Sequence, residues 1–557
     1  MTTTHIDDVS AKPRTYGNWQ QPSSPGLPRL GLIGTVALLG GLVLAVIIQA
    51  TAGLLPALVV VVLVLLGVAP LAWRTRGGRN GWQLLWCRIA WKTGLARGQH
   101  LYLAGLVGTE AFGSHQLPGL LAPAKLHEIA DDDAMPIGLI HIPASRHFTV
   151  LIRVDPDGSS LVDPETVDAW VGHYGTFLAD LGHEPGLVAA SCTVQTSPDP
   201  GDRLRAEVDR LLTPGAPSLA TAVLREAAAA YPRGAAQTSA WVALTYTATR
   251  QHVEEREGLW SQPEGGPASK VRSTAEMATL ISSRLPGLLE SLAATGCGAG
   301  QLMSAREITD LVRSAFDPHS ADDLDALRVS GEPPAISWEQ AGPAVAAETW
   351  NAYRHDQAAS VTWSMSVAPR GAVQSRVLHS LIAAHQSVAR KRVTLLYRPH
   401  DAASSAAIAD ADVRTAAGRD GGKAHDSAAS KAAVQTAQEE AQGAGMTRFA
   451  LMVTATVLDP ADLGQARETV SQLGRAGRVQ LRCCAGSQAA SFAACLGIGV
   501  VPSAHISVPG AGCGWPCESP RWWPVKVLAG GQWKSAPRVC RVCLFGVQAL
   551  SGDGGGV

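Results

Sequence analysis

The sequence predicts an α+β protein carried on an N-terminal transmembrane helical hairpin. Three observations predict it. Residues 30–72 hold two long apolar runs without a single charge. From residue 136 onward, short β-rich runs alternate with helical spacing, and that alternation occurs twice. The apolar runs are LGLIGTVALLGGLVLAVIIQA and LLPALVVVVLVLLGVAPLA. Each is about 20 residues, and a helix rising ~1.5 Å per residue then crosses a ~30 Å hydrocarbon core. Only helices and closed barrels satisfy their backbone in that core. The break at Thr51–Gly53 leaves room for a tight turn only. A cleaved signal peptide would carry a single apolar stretch of ~7–15 residues and a small-residue cleavage site.

Orientation follows from Lys and Arg. Lys12, Arg14 and Arg29 precede the first run, Arg74, Arg76, Arg79, Arg88, Lys92 and Arg97 follow the second, and the turn between has none. The positive-inside rule then places both ends, and everything after Trp73, in the cytoplasm. Residues 1–29, polar and rich in Pro and Ser, form a flexible cytoplasmic arm, with Tyr16 and Trp19 near the membrane interface. Gly31, Gly34, Gly40 and Gly41 allow close helix approach within the hairpin. Residues 73–99 place Trp82, Trp86, Ile89 and Ala90 at helical spacing among Arg88, Lys92 and Arg97. Such a helix is expected in the headgroup layer, its cations toward anionic lipid. The alternative is a helix packed on the soluble body.

The rest of the chain is long enough for several domains. It has 557 residues with a net charge of −1, so there is no global pull toward nucleic acid, and none is predicted as a direct partner. Alanine, glycine and arginine richness suggests a high-GC genome of the actinobacterial kind. A first antiparallel α+β subdomain is expected over residues 100–250. Ile137–Ile142 and Phe148–Val154 form a hairpin, 164–181 a helix, Leu187–Val194 a strand, 201–212 and 217–230 helices, and Ser239–Thr249 a strand. Residues 251–343 are a linker with helices at 273–294 and 304–316, closed by a polar, Pro-bearing break over 317–343. A second subdomain is expected over 344–502. Its strands are Ala358–Ser366, Arg392–Arg398, Arg448–Val457 and Arg478–Cys483, and its helices are Val373–Ala384, Ala461–Leu473 and Ser487–Leu496. Two helices with a mobile tip at GRDGGK fill 401–445. Both subdomains are expected to be ferredoxin-like, as a distant duplication.

Residues 503–557 break the pattern. They pack Trp and Cys among Pro and Gly without a hydrophobic period, as a disordered or frame-shifted segment would. Cys513/Cys517 and Cys540/Cys543 have zinc-like spacing, but no strand is evident between the pairs. Of ten cysteines the remainder are scattered and are expected to be reduced in the cytoplasm.

No active site emerges. A P-loop needs G-x-x-x-x-G-K-[ST] so that amides and Lys cradle phosphate; the nearest stretch, Gly530 to Ser535, lacks the glycine before Lys534. Gly296, Gly298 and Gly300 follow a helix rather than a strand and are expected to stop it. Asp131–Asp133 could hold a divalent ion in a glycosyltransferase, but an exposed acidic turn is the commoner role. His141, His147, His379 and His385 lack the spacing of a helical zinc pair. Arg354-His355-Asp356 echoes a kinase catalytic loop without a glycine loop or magnesium motif. Catalytic, cofactor-binding and metal-binding residues are therefore all assigned as none.

Four stretches carry a resemblance. RKRVTLLYRPHD at 390–401, AQEEAQGAG at 437–445, RFALMVTATV at 448–457 and GSQAASFAACLGIG at 486–499 resemble the N-terminal, non-motor half of type IV secretion ATPases. That half commonly ends in an LP-G turn, and LGIG departs from it. YGNWQQPSSPGL at 16–27, the hairpin and LPGLLAP at 117–123 resemble a family of actinobacterial conjugation or secretion membrane proteins. The layout also resembles the EccE component of type VII secretion. The resemblance covers about residues 13–500 and leaves the tail uncovered. It implies a non-enzymatic, membrane-anchored scaffold in a homo- or hetero-oligomer, with a P-loop ATPase supplied in trans.

Overall fold

The computed structural model of the protein describes residues 30–505, apart from 74, 76–78, 106–107, 109–116, 130–135, 157–161, 199–201, 214, 231–235, 250–270, 331–335, 370–376, 401, 419–423 and 442–445. The N-terminal arm, Arg74, Arg76, Asp131–Asp133, the 251–270 linker, the tip beyond Gly418 and all but the first three residues of the tail lie outside the described residues.

Two helices, α1 (Gly31–Ala52) and α2 (Leu54–Ala72), are long and apolar enough to cross a membrane. Gly53 turns between them at φ +92°, a value that suits glycine. A core helix of this composition would be mostly buried, yet only 6% and 11% of the two span windows are. Leucine and valine side chains such as Leu55 and Leu66 face outward all along them. A third helix, α3 (Gly81–Ala96), follows.

The body begins with β1 (Leu101–Leu103), β2 (Lys125–Ile129), β3 (Ile137–Ile142) and β4 (His147–Val154), then α4 (Pro164–Asp180) and β5 (Leu187–Pro198). The helices α5 (Asp202–Leu211) and α6 (Ser218–Ala230) lead to β6 (Ala236–Thr247), α7 (Thr274–Ser282), α8 (Leu285–Ala293), β7 (Gln301–Leu302), α9 (Ala305–Phe316) and α10 (Ser320–Val329). The second half runs through β8 (Val345–Glu348), β9 (Tyr353–His355), β10 (Ala358–Val367), α11 (His379–Ile382), β11 (Arg390–Pro399), α12 (Ala402–Ala417) and α13 (Ala424–Ala441). It ends with β12 (Thr447–Val457), α14 (Leu463–Ala476), β13 (Gln480–Cys483) and α15 (Gln488–Cys495).

All strands join one antiparallel sheet, 13 strands among the described residues. The two halves meet where β11 pairs with β5, from Lys391 opposite Thr196 to Tyr397 opposite Ala190. This seam is also a centre of internal symmetry. At its midpoint Thr193 faces Thr394, and their hydroxyls are hydrogen-bonded at 3.1 Å. Stepping outward one strand at a time gives Trp241 on one side and Met452 on the other, then Arg153 and Ser364, then Gln301 and Arg482. Even the cross-strand hydroxyl pairs coincide. Thr149–Thr245 at 3.0 Å occupies the rotated position of Ser360–Thr456 at 2.8 Å.

Alternation along the strands makes two covered faces. Phe148, Val150, Ile152 and Val154 pack beneath α4, α7 and α8, while Val361, Trp363 and Met365 pack beneath α11 and α14. On the opposite face, α9 and α15 share one cluster with Leu151, Trp241, Met452 and Tyr353. There β10 and β12 offer hydroxyls, and α15 is alanine-rich, so helix and sheet approach closely. Gln488 closes the contact by hydrogen-bonding both Thr362 N (2.8 Å) and Thr362 O (3.2 Å). The chain then crosses the seam. Thr394 donates to Cys495 O at 2.8 Å, and Trp241 Nε1 to Gly497 O at 3.3 Å.

Several expectations shift. The break at 317–343 contains α10, whose Asp322 and Asp323 sit in its first turn, where the helix dipole favours them. The helix expected over Val373–Ala384 is described only as His379–Ile382, residues 370–376 lying outside the described residues. Strands β5, β6 and β11 reach further than their apolar runs.

Candidate functional site at the junction of hairpin and body

The chain leaves α2 through a short return that is closed by hydrogen bonds. Gly81 N donates to Trp73 O at 3.0 Å, and Thr75 N to Arg79 O at 2.9 Å. Asn80 and Gln83 then form a reciprocal cap on α3, Gln83 N to Asn80 Oδ1 at 2.9 Å and Asn80 N to Gln83 Oε1 at 3.1 Å. The return folds α3 back onto α2. Trp82 Nε1 donates to Gly67 O at 2.8 Å, and a Cβ on Gly81 would lie 2.9 Å from Pro70 O. Inside the hairpin, Gly41 does the same for Val64, where a Cβ would stand at 2.5 Å.

The opposite side of α3 is attached to the body. Arg79 is 6% exposed and donates through Nη1 to Ala485 O at 3.3 Å, with Cys87 Sγ at 3.8 Å. Its Nε and Nη2 have no hydrogen-bond partner among the described residues. Burial pushes the Cys87 thiol up, the Arg79 guanidinium opposing. Trp91 meets Trp350 edge to face at 5.7 Å. Gly486, at φ +78°, lets the backbone pass where a Cβ would strike Trp350 at 2.7 Å. The strand pair β1–β8 and the Glu348 N to His100 O bond at 2.8 Å extend the attachment, and Glu348 Oε1 accepts from Ala489 N at the start of α15. So α3 lies between the apolar hairpin and the sheet, bonded to both. Leu85, Trp86 and Ile89 remain exposed on it. Arg79, counted among the cations flanking the second run, is thus an internal connector rather than a surface charge.

Residues 23–83 match a family model, DUF8461, a domain of unknown function. No curated protein matches the chain. The DUF8461 stretch takes in both apolar helices and the return, and stops at Gln83, the last residue of the α3 cap. The matched unit is therefore the apolar hairpin with its hydrogen-bonded exit, and the sheet lies beyond it.

The other candidates have structural partners. His355 is fully buried, with Nδ1 on Phe316 O and Nε2 accepting from Ser360 Oγ at 2.7 Å. Burial drives its imidazolium down to about 4, so it is neutral. Asp356 makes the tight β9–β10 turn at φ +47° and accepts from Ala344 N and Val345 N. His141 stacks on Phe148 at 4.1 Å, and burial holds His147 down at about 4. His379 opens α11, and His385 Nδ1 lies 2.9 Å from Ser387 Oγ. Gly296 and Gly298 follow α8 at positive φ, against Trp170 and Asp155 O. Among the described residues no three His, Cys, Asp or Glu side chains converge as a metal site, and the six described cysteines are free. Asp131–Asp133, the four tail cysteines and Lys534 lie outside the described residues. Sequence reasoning missed Arg79, Trp350 and Gly486 as a junction. Only the Asn80-x-x-Gln83 spacing signalled it.

Proposed function

We propose that this protein is a structural, membrane-anchored component of a type IV-like (conjugation) or type VII-like secretion apparatus that docks a separate P-loop ATPase at the plasma membrane. On this reading α1 and α2 cross the membrane, both ends of the chain are cytoplasmic, and the body holds other proteins instead of transforming a substrate. The observation that carries it is the double attachment of α3, bonded to α2 through Trp82 and to the body through Arg79 and Trp91. A flexible tether would suffice to localise an enzyme. A bonded junction transmits position and force from membrane to sheet, which a docking scaffold requires. The body is read as two ferredoxin-like subdomains from one duplicated ancestor. What supports this is the strand order β7-β4-β6-β5 in one half and β13-β10-β12-β11 in the other, each with a helical pair inserted before its third strand.

The full-length protein, expressed in cells and washed with alkaline carbonate, should stay with the vesicles, and deletion of residues 30–72 should release it. Affinity purification from the native host should recover a P-loop ATPase identified by mass spectrometry. Release of the intact chain by carbonate, or nucleotide or sugar turnover by the purified protein alone, would defeat the reading.

A further inference from the structure

The two sides of α3 differ in what covers them. One side is held by the body, with Cys87 Sγ 3.7 Å from Ala485 O and Trp91 edge-on to Trp350. At ~3.6 residues per turn, Leu85, Ile89 and Lys92 fall on the opposite side. There Leu85, Trp86 and Ile89 are 47%, 45% and 42% exposed. Leu85 and Ile89 form one row along the helix, and exposed Arg88 and Lys92 form the row beside it, each pair four residues apart. Neither cation makes an ion pair among the described residues. Between Asp8 and Glu110 the sequence holds no Asp or Glu, so every formal charge from residue 9 to residue 109 is a Lys or Arg.

The second observation is where this face begins. Trp82 is bonded to Gly67 O, five residues short of the end of α2 at Ala72. At ~1.5 Å per residue, that sets the start of α3 ~7.5 Å inside the end of the hairpin. A helix lying on a bilayer buries its apolar side ~5–10 Å into the boundary of headgroups and acyl chains. Trp73, which closes α2, is exposed as well, as tryptophans at a lipid–water boundary are. An occupant of the outer face must therefore offer an apolar medium to one row and negative charge to the next, close beside the apolar hairpin. An anionic lipid surface offers both.

We propose that the outer face of α3 lies on anionic lipid, with Leu85, Trp86 and Ile89 at the acyl boundary and Arg88 and Lys92 on headgroup phosphates. The inference rests on the reading in which α1 and α2 cross the membrane. Because Arg79 and Trp91 hold the other side of α3, lipid contact presses the body against the leaflet, and its strength follows the anionic lipid content. The full-length protein is made with the photocrosslinker benzoylphenylalanine in place of Ile89 or, separately, of Leu63, an exposed residue of α2. Each is placed in nanodiscs of phosphatidylcholine with or without phosphatidylglycerol, and lipid adducts are measured by mass spectrometry. Leu63 should give adducts in both discs. Ile89 should give about fivefold more with phosphatidylglycerol, and R88Q/K92Q should remove that gain without changing the yield at Leu63. A lack of adducts at Leu63 would defeat the reading of α1 and α2, and this inference with it. Adducts at Leu63 but none at Ile89 would overturn this inference alone. So would a yield at Ile89 that ignores phosphatidylglycerol or R88Q/K92Q, or an Ile89 adduct in native membranes with a protein in place of lipid.

Discussion

Gly499→Ala tests whether the segment after α15 is a fixed element of the fold. Gly499 has φ +93°, and a Cβ there would lie 1.9 Å from Thr149 Oγ1 and 2.7 Å from Thr149 Cβ. Two penalties apply. Holding an L-residue in that backbone region costs ~1–2 kcal/mol. Forcing a methyl into a packed site costs a further ~1–3 kcal/mol. Thr149 cannot simply turn away, because its hydroxyl is bonded to Thr245 at 3.0 Å on a fully buried face. The expected loss is roughly 2–5 kcal/mol, a large share of a typical domain's stability. Urea denaturation in detergent, followed by tryptophan fluorescence, should show a lower midpoint at unchanged slope. Thr149→Ala removes the oxygen that is struck first. The double variant should therefore be more stable than the two single losses summed, by about 1 kcal/mol. A G499A protein within ~0.5 kcal/mol of wild type would refute the packing described for this segment.

Three further outcomes follow. His355 has a native pKa of about 4 against about 6.5 when unfolded, so the unfolded chain binds the extra proton between those values. Stability from this group is complete above pH ~6.5 and falls by roughly 3 kcal/mol as pH drops to ~4, with His147 and His400 acting in the same direction. Urea midpoints across that range check it, and a flat profile would contradict the neutral buried imidazole. Arg79→Ala or Trp350→Ala should leave the chain in the membrane but loosen α3 from the body, read as faster amide exchange across 484–489 while β5 and β11 stay protected. Gly172→Ala and Gly175→Ala, in α4 with nothing within 4 Å of either Cβ position, should each raise stability by ~0.5–1 kcal/mol. A loss at either site would mean that α4 is covered there.

What was legible in the sequence was whatever carries its own signal. Two uncharged runs announce α1 and α2, since an unbroken apolar run of that length reads as one helix. RFALMVTATV and RVTLLYR announce β12 and β11 because they are runs rich in β-branched and aromatic residues bounded by polar stretches. Strands β1, β7, β8 and β9 carried none. They are two to four residues long, too short for an alternating pattern to show. Helix α10 was hidden for a different reason. Its acidic first turn resembles a polar break unless the end of the preceding helix is already known. The α3 junction was the least visible, since Arg79 and Trp91 meet residues some 260 to 400 positions away in the chain.

The order of elements is what suggests the proposed duplication, and the side chains at matched positions do not. Equivalent positions hold Trp241 and Met452, or Leu151 and Thr362, because different partners cover them. In the second half alanine-rich α15 presses on Thr362 and Thr454, so small hydroxyl side chains suit that face. In the first half the bulkier α9 packs near Leu151 through Ile308 and Phe316. What the halves share is backbone register, which matches rung by rung out to the short strands β7 and β13.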